Sequence, residues 1–271
     1  MKTKYLLGAD PEVFVGQNGV PVSAFGLIEG DKKNPQKVAG GAVQVDGMAL
    51  EFNIDAVSNE ADWMKNINGV LAILAAMVPQ HQLLPQPVAE FGLEYIRAQP
   101  EKAKELGCEP DWDAYTVAVN PRPNGELPFR SAAGHIHFGI PEAGGEAPVD
   151  DIDYIGWIAA KVREIDFYIG LPSLFYDNDT KRRELYGKAG AFRPKRYGME
   201  YRTPSNQWLG NDNLKRWAYQ ASMYAMEQID KGICLADKYG DIQNIINKSD
   251  KAAAARIIKA EGLILPKGVA V

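Results

Sequence analysis

The sequence predicts an α+β fold: a curved, mostly antiparallel sheet with helices packed on one face. Three observations carry this. Tight-turn dipeptides (Asn18-Gly19, Asp46-Gly47, Asn124-Gly125 and Tyr197-Gly198) join short runs rich in Val, Ile, Phe and Tyr, as in hairpins. Three longer stretches place apolar residues at helical spacing. No internal repeat or low-complexity linker divides the chain, so residues 1–271 read as a single domain.

In chain order, Tyr5–Val15 is a strand, Asn18-Gly19 its turn and Val20–Phe25 the return strand. Pro11 lies inside the first run and marks an edge or the end of regular pairing. Gly30–Gly41 is a polar loop long enough to act as a flap. The run VQVDGMALEFN is a hairpin turning at Asp46-Gly47. Ser58–Gln80 is the clearest helix, with Asn59 as cap and a stripe of Trp63, Ile67, Val70, Leu71, Leu74, Met77 and Val78. Leu83–Ile96 gives further strands broken by Pro85 and Pro87, and Gln99–Gly107 a charged helical turn or two. Cys108–Pro123 is irregular and leads into a strand at Thr116–Val119. FRSAAGHIHFGIP is a strand, and Asp150–Leu171 a helix ended by Gly170-Leu171-Pro172. Two strands follow, Ala191–Lys195 and Met199–Thr203, then a long helix over Asn211–Lys238 and a short one over Asp250–Glu261.

Composition narrows the function classes. A content of 46 % apolar and 24 % charged residues fits a soluble globular protein with a substantial core. A net charge of −5 argues against general nucleic-acid affinity. Cys108 and Cys234 form no CxxC or zinc pattern, which fits a reducing, cytoplasmic setting. The start MKTKYLLGAD lacks a signal-peptide core, and no apolar run would span a bilayer.

Against that acidic background, the 22 residues Lys181–Arg202 carry eight basic side chains and two acidic ones. Tyr186, Phe192, Tyr197 and Tyr201 are interleaved with them. A carboxylate at Glu200 among so many cations is either an ion-pair partner or a metal ligand beside a polyanion such as ATP. Four strand segments share one design, with two polar groups on one face: Asp10/Glu12, Glu51/Asn53, His135/His137 and Glu200/Arg202. If they share a sheet, that face gathers four carboxylates and two imidazoles. Closely grouped carboxylates need counter-charge, which Mg2+ or Mn2+ would supply at an oxygen-rich site. Arg182, Arg183, Lys188, Arg193 and Arg202 would contact the phosphates that such metals bridge. Gly187-Lys188 is followed by Ala189, so no P-loop is present.

The ordered set GADPEVF, DGMALEFN, AGHIHFGI and RELYGKAGAFR…YGMEYRTPSN resembles the glutamine synthetase and glutamate–cysteine ligase superfamily of carboxylate–amine ligases. Within it, the set is most similar to the compact phage-type amidoligase branch. The resemblance covers roughly Gly8 to Asn206 and leaves the C-terminal helices, 211–261, unmatched. It implies a curved antiparallel sheet holding divalent ions, on which ATP meets the acid substrate. By position it implies that Asp10, Glu12, Glu51, His135 and Glu200 ligate metal, with His135 also at the nucleotide. Arg202 would touch the transferred phosphate or the substrate carboxylate, and Arg183 and Arg193 the phosphates. His137, one step along the face of His135, is assigned to turnover. The base that deprotonates the amine stays open among Asp46, Asp177 and Asp179. The first pair has Asp10 where the larger enzymes usually have Glu, a shorter arm.

The implied reaction is ATP-dependent amide or isopeptide formation through an acyl phosphate, with small-molecule or peptide acids and amines as partners, in the host cytoplasm if the chain is phage-encoded. A guanidino-type phosphotransferase and a nucleotide-free metal hydrolase are the alternatives. A single-strand nucleic-acid surface is a third reading of the Arg/Tyr-rich stretch, opposed by the acidic balance.

Overall fold

In a computed structural model of the chain, residues 5–105, 111–121 and 126–271 are described. Cys108, the Asn124-Gly125 turn, and parts of the segments expected over 99–107 and 108–123 lie outside the described residues. The architecture is α+β with antiparallel pairing throughout.

The strands are β1 (Leu6–Ala9), β2 (Glu12–Gln17), β3 (Val20–Val22), β4 (Gln36–Val38), β5 (Gly41–Asp46), β6 (Ala49–Ile54), β7 (Gln82–Leu84) and β8 (Val88–Glu90). They continue with β9 (Trp112–Asp113), β10 (Ala118–Val119), β11 (Phe129–Ser131), β12 (Ile136–Gly139), β13 (Ala191–Lys195) and β14 (Gly198–Tyr201). One sheet has the order β1-β12-β14-β13-β9-β10 and a second β3-β2-β6-β5-β4, with β7 also on β2. β8 and β11 form a separate pair.

The four polar strand pairs therefore do not share one sheet, which corrects the expectation. The physical reason sits at Asp10-Pro11, where the first strand breaks. Pro11 has no N–H to give a ladder. The chain leaves the first sheet at Ala9 and enters the second at Glu12. Hydrogen bonds from Glu12 N–H to Ala133 O and from Phe52 N–H to Pro11 O, at 2.9 and 3.1 Å, seam the two sheets together at that point.

Alternation sorts the faces. Leu7, Ile136, Phe138, Phe192, Met199 and Tyr201 point into the core, and the even-numbered residues of β1 and β14 point the other way. Helices cover the core side. Glu60–Met77 is capped by Asn59, whose side chain accepts from Asp62 N–H, and it buries Trp63, Ile67, Val70 and Leu74. Trp63 stacks on Trp208 at 5.7 Å between centroids and donates to Lys215 O. Ile152–Ile165, capped by Asp151, lies against β13 and β14. Asp212–Asp230, capped by Asn211, packs on both of those helices.

Four elements differ from expectation in detail. The second long helix passes into a π turn at Asp166–Gly170, which carries Asp166 into the core. There Asp166 accepts from Tyr201 Oη at 2.6 Å, Tyr115 Oη at 3.0 Å and Thr203 Oγ1 at 3.2 Å. The third helix ends at Asp230 because Gly232 adopts φ +72°, and a separate turn, Leu235–Tyr239, follows. The end of the Leu83–Ile96 stretch, expected as strand, lies in a helical turn, Leu93–Arg97, and the strand expected over Thr116–Val119 shrinks to β10. Among the described residues no helix is long and apolar enough to cross a membrane.

Candidate active site at the sheet junction

Register builds the site from the two sheets. In the first, Gly8, His137, Glu200 and Arg193 stand opposite one another across β1, β12, β14 and β13. One step along, Asp10 N–H donates to His135 O at 3.4 Å and Arg202 N–H to Ala191 O at 2.9 Å, so Asp10, His135 and Arg202 follow on the same face. In the second sheet Glu12, Glu51 and Gln44 form a row, and Asp46 shares the face of Gln44.

Two acidic groups result. Ligand atoms of Asp10, His137 and Glu200 lie within 4.8 Å of one another, and so do those of Glu12, Asp46 and Glu51. Either set could hold a divalent cation, but their compensation differs. Glu200, 1 % exposed, is surrounded by cations: Arg202 Nη1 in close contact, Arg193 Nη1 at 3.3 Å and Lys195 Nζ at 2.8 Å. Burial opposes its charge, yet Arg202, His135 and Arg193 outweigh that and hold its carboxyl well below the usual range. Asp10 behaves alike: burial opposes its charge, but His137 Nε2, 2.9 Å from Oδ1, helps to depress its pKa.

The second group has weaker counter-charge, from Lys32 and Arg182. Lys32 Nζ meets Asp46 Oδ2 at 2.9 Å, but its side chain is 45 % exposed. Burial, and then Asp46, push the Glu12 carboxyl up to about 7. Burial, with Asp10, Asp46 and Glu12 nearby, raises Glu51 well above its ordinary value. Three carboxylates that resist ionising together are the donor set a hard divalent cation would relieve.

The histidines divide between two clefts. His135 lies in the first cleft, with Nδ1 3.4 Å from both Asp10 Oδ1 and Glu200 Oε1. Burial and Arg202 hold it neutral, its pKa pulled down to about 3, and its Nε2 is buried without a hydrogen-bond partner among the described residues. His137 lines the second cleft, between Asp10 and Tyr197 Oη. Burial pulls its pKa down, but Asp10 outweighs this and the net shift is upward. His137, where the resemblance implied His135, thus completes the first acidic group.

The first cleft is narrow, about 100 Å³, and its lining includes the carboxylates of Glu12, Asp46 and Glu51 and the guanidiniums of Arg130, Arg182, Arg193 and Arg202. That is room for ions and one phosphate-sized group, with any larger ligand reaching in through the open mouth. Not every expected phosphate contact lies there. Arg182 faces the cleft but is tied to Thr203 O and Arg202 O at 2.8 and 2.9 Å. Arg183 is away from it, bonded to Asp179 O, Ser249 Oγ and Asp177. Lys188 contributes its carbonyl, which accepts from Thr203 Oγ1. Of the three acids considered as base, Asp46 alone lines the cleft. Asp177 accepts from Ser205 Oγ, and Asp179 caps the turn at Arg182.

Sequence reasoning missed two residues here and gave a third another role. Asp46, read as a turn residue and a candidate base, belongs to the second acidic group. Arg130 lines the cleft from β11. Asp111 accepts from Arg202 Nε at 2.9 Å, and Asn120 Nδ2 holds its other oxygen at 3.0 Å. Arg130 lies five residues before His135, so an unbroken strand would turn it to the other face; the break at Ala132–Gly134 lets it line the cleft, and alternation did not point to it. Asp111 carried no local signal.

Comparison with known proteins adds one match. Residues 124–232 match the family described as Phage phiEco32-like COOH.NH2 ligase-type 2, the branch that the four sequence motifs resemble. The match includes Arg130, His135, His137, Arg193, Glu200 and Arg202, and excludes Asp10, Glu12, Asp46 and Glu51. The matched family is one of carboxylate–amine ligases. No curated protein matches the chain significantly.

Proposed function

We propose that this protein is an ATP- and Mg2+-dependent carboxylate–amine ligase that forms an amide or isopeptide bond through an acyl phosphate. The observation that carries the reading is the meeting, in one cleft, of an under-compensated carboxylate group with a cluster of arginines. Carboxylates short of counter-charge and guanidiniums gathered beside them are both served by a metal-bound phosphate.

In this reading Glu12, Asp46 and Glu51 hold one divalent ion, and Asp10, His137 and Glu200 are a second ligand set. The oxygen-rich donors fit Mg2+ or Mn2+. Bound there, the ions would neutralise phosphate charge and polarise the transferring group. The residues of the chain do the rest. Arg130, Arg193 and Arg202 orient the phosphate oxygens, and His135 offers its unpartnered Nε2 to the same space. Arg193 and Arg202 exchange part of their contact with Glu200 for phosphate, which frees Glu200 as a ligand. A substrate carboxylate oxygen bonds to the γ-phosphorus as the bond to the bridging oxygen breaks, and ADP leaves. The amine nitrogen then bonds to the acyl carbon, phosphate leaves with the oxygen it gained, and the amine loses a proton.

Hydroxylamine tests this, because it can replace an unknown amine. ATP, Mg2+, hydroxylamine and a panel of acids (glutamate, short peptides, peptidoglycan fragments) should give hydroxamate together with ADP. A guanidino phosphotransferase would give ADP without hydroxamate, and a hydrolase neither. Heavy oxygen in the acid's carboxylate should appear in the released phosphate. Unlabelled phosphate alongside true amide product would exclude the acyl phosphate.

A further inference from the structure

The cations that line the first cleft are not alike. Arg130, Arg182 and Arg202 are buried, and bonds to backbone carbonyls or carboxylates hold each of them in place. Lys32 lines the same cleft, yet its side chain is 45 % exposed and its Nζ meets Asp46 Oδ2 at 2.9 Å. It therefore stands at the mouth, on the solvent side of the Glu12, Asp46 and Glu51 group. Burial opposes its charge, but Asp46, Glu51 and Glu12 outweigh this and hold the ammonium above its ordinary pKa. All three carboxylates thus share this one cation. The turn that carries it keeps its shape by its own bonds. Asp31 Oδ1 accepts from Lys33 N–H and Asn34 N–H, each at 2.9 Å, and the backbones of Asp31 and Asn34 bond each other in both directions, at 3.3 and 3.1 Å. The Lys32 side chain can leave Asp46 without unfolding that turn.

A divalent ion held by Glu12, Asp46 and Glu51 would bring its charge up to the carboxylate that Lys32 contacts, and two cations repel strongly at that range. A lysine is a point charge on a long flexible stem, so it can yield where a braced guanidinium cannot. We propose that Lys32 is an exchangeable counter-ion: a divalent ion displaces it from Asp46, and its ammonium then pairs with the phosphates of the nucleotide at the mouth of the cleft. The exchange makes metal and nucleotide uptake interdependent. Metal alone must break the Lys32–Asp46 pair and gives the ammonium no new partner, so it binds weakly. Metal together with nucleotide supplies that partner, so the two bind tightly.

The inference rests on the metal and nucleotide part of the ligase reading, and its test measures binding. On the full chain, Mn2+ uptake is followed by electron spin resonance, and a non-hydrolysable ATP analogue is titrated by calorimetry at saturating Mg2+. Lys32→Met should tighten Mn2+ alone about fivefold and weaken the analogue about fivefold, the scale of one exposed ion pair. The two signs are opposite, which a merely structural role would not produce. Lys33→Met removes the neighbouring charge from a side chain outside the cleft lining, and should move either constant by less than about twofold. Acetylation of lysines, read by mass spectrometry, follows the exchange itself: Lys32 should react faster with Mg2+ than without it, and be shielded again once the analogue is added. No Mn2+ uptake by the parent, weaker Mn2+ binding in Lys32→Met, equal changes in Lys33→Met, or a Lys32 reactivity indifferent to Mg2+ would overturn the proposal. Any of these in a chain that still forms hydroxamate would leave the ligase reading standing. The opposite shifts in a chain that forms no hydroxamate would keep the exchange and sink the ligase reading.

Discussion

Asp111 grips Arg202 from behind. Its Oδ2 accepts from Nε at 2.9 Å, while Nη1 of the same guanidinium touches Glu200. Arg202 is 4 % exposed and joined at both ends, so its plane is fixed across the cleft. A charged hydrogen bond of this kind contributes about 1.5–3 kcal/mol. Asp111→Ala should therefore lower kcat roughly ten- to hundredfold with a smaller effect on folding. Asp111→Asn, which retains an acceptor, should recover part of it. Steady-state kinetics of the two variants checks this, and equal loss in both would mean that charge, not orientation, is what Asp111 supplies.

The two acidic groups should separate by mutation. Asp46→Asn and Glu51→Gln remove ligands from the under-compensated group, and calorimetry with Mg2+ and an ATP analogue should show the loss of tight metal uptake while the fold survives. Glu200→Gln should act differently. It removes the carboxylate charge shared by Arg193, Arg202 and Lys195, so nucleotide binding should become less metal-dependent and the melting temperature should fall. Indistinguishable titrations of the parent and the Asp46 variant would refute the first half.

Metal binding should also be pH-dependent in a definite sense. Glu12 is shifted up to about 7 from 4.5, so between those values the metal-free folded chain holds more protons than the unfolded one. That contribution favours folding at low pH and is lost as pH rises through 7. A divalent ion must displace the same proton below pH 7 and need not above it. The Mg2+-induced rise in melting temperature should be larger at pH 8 than at pH 6, and Glu12→Gln should flatten the difference. A larger rise at pH 6 would contradict the assignment.

Gly134 supplies a stability test at the edge of the site. A Cβ there would lie 2.2 Å from Ser205 O and 2.4 Å from Trp208 Nε1, both against rigid neighbours. Trp208 Nε1 donates to Gly134 O at 2.9 Å and lies in the Trp63 stack. Gly134→Ala should cost about 1–3 kcal/mol, or more if the chain cannot shift. Urea denaturation measures it, and a neutral substitution would mean that the approach is looser than drawn.

Much of this was legible in the sequence because it depends on local periodicity. The stripe from Trp63 to Leu74 and the caps at Asn59, Asn211 and Asp250 fix their helices through contacts three or four residues apart. The polar pairs of β12 and β14 were readable for the same reason, since alternation alone puts His135 with His137 and Glu200 with Arg202. The sequence does not state which strands are neighbours. Assigning Glu12 and Glu51 to the sheet of Glu200 needed a guess about pairing, and Pro11 redirected the chain. Asp111 and Arg130 reach the site from irregular or two-stranded segments, where no period marks a face. Arg182 and Arg183 show the reverse limit: a basic run tells that cations are present, but not that two backbone carbonyls hold each of them.

The break at Asp10-Pro11 has a mechanical consequence. Asp10 and Glu12 belong to different sheets yet are separated by a single residue, so covalent geometry keeps their α-carbons within about 7 Å. Pro11 locks its own φ, and the bonds from Glu12 N–H and Phe52 N–H pin the joint on both sides. The two sheets therefore cannot slide past each other at this point without losing those bonds. The spacing between the two acidic groups is a property of the chain itself, like the gauge of a rail, and is not reset by the ligand that arrives. Adjustment during a reaction falls to side chains above the joint, chiefly the arginines that share Glu200.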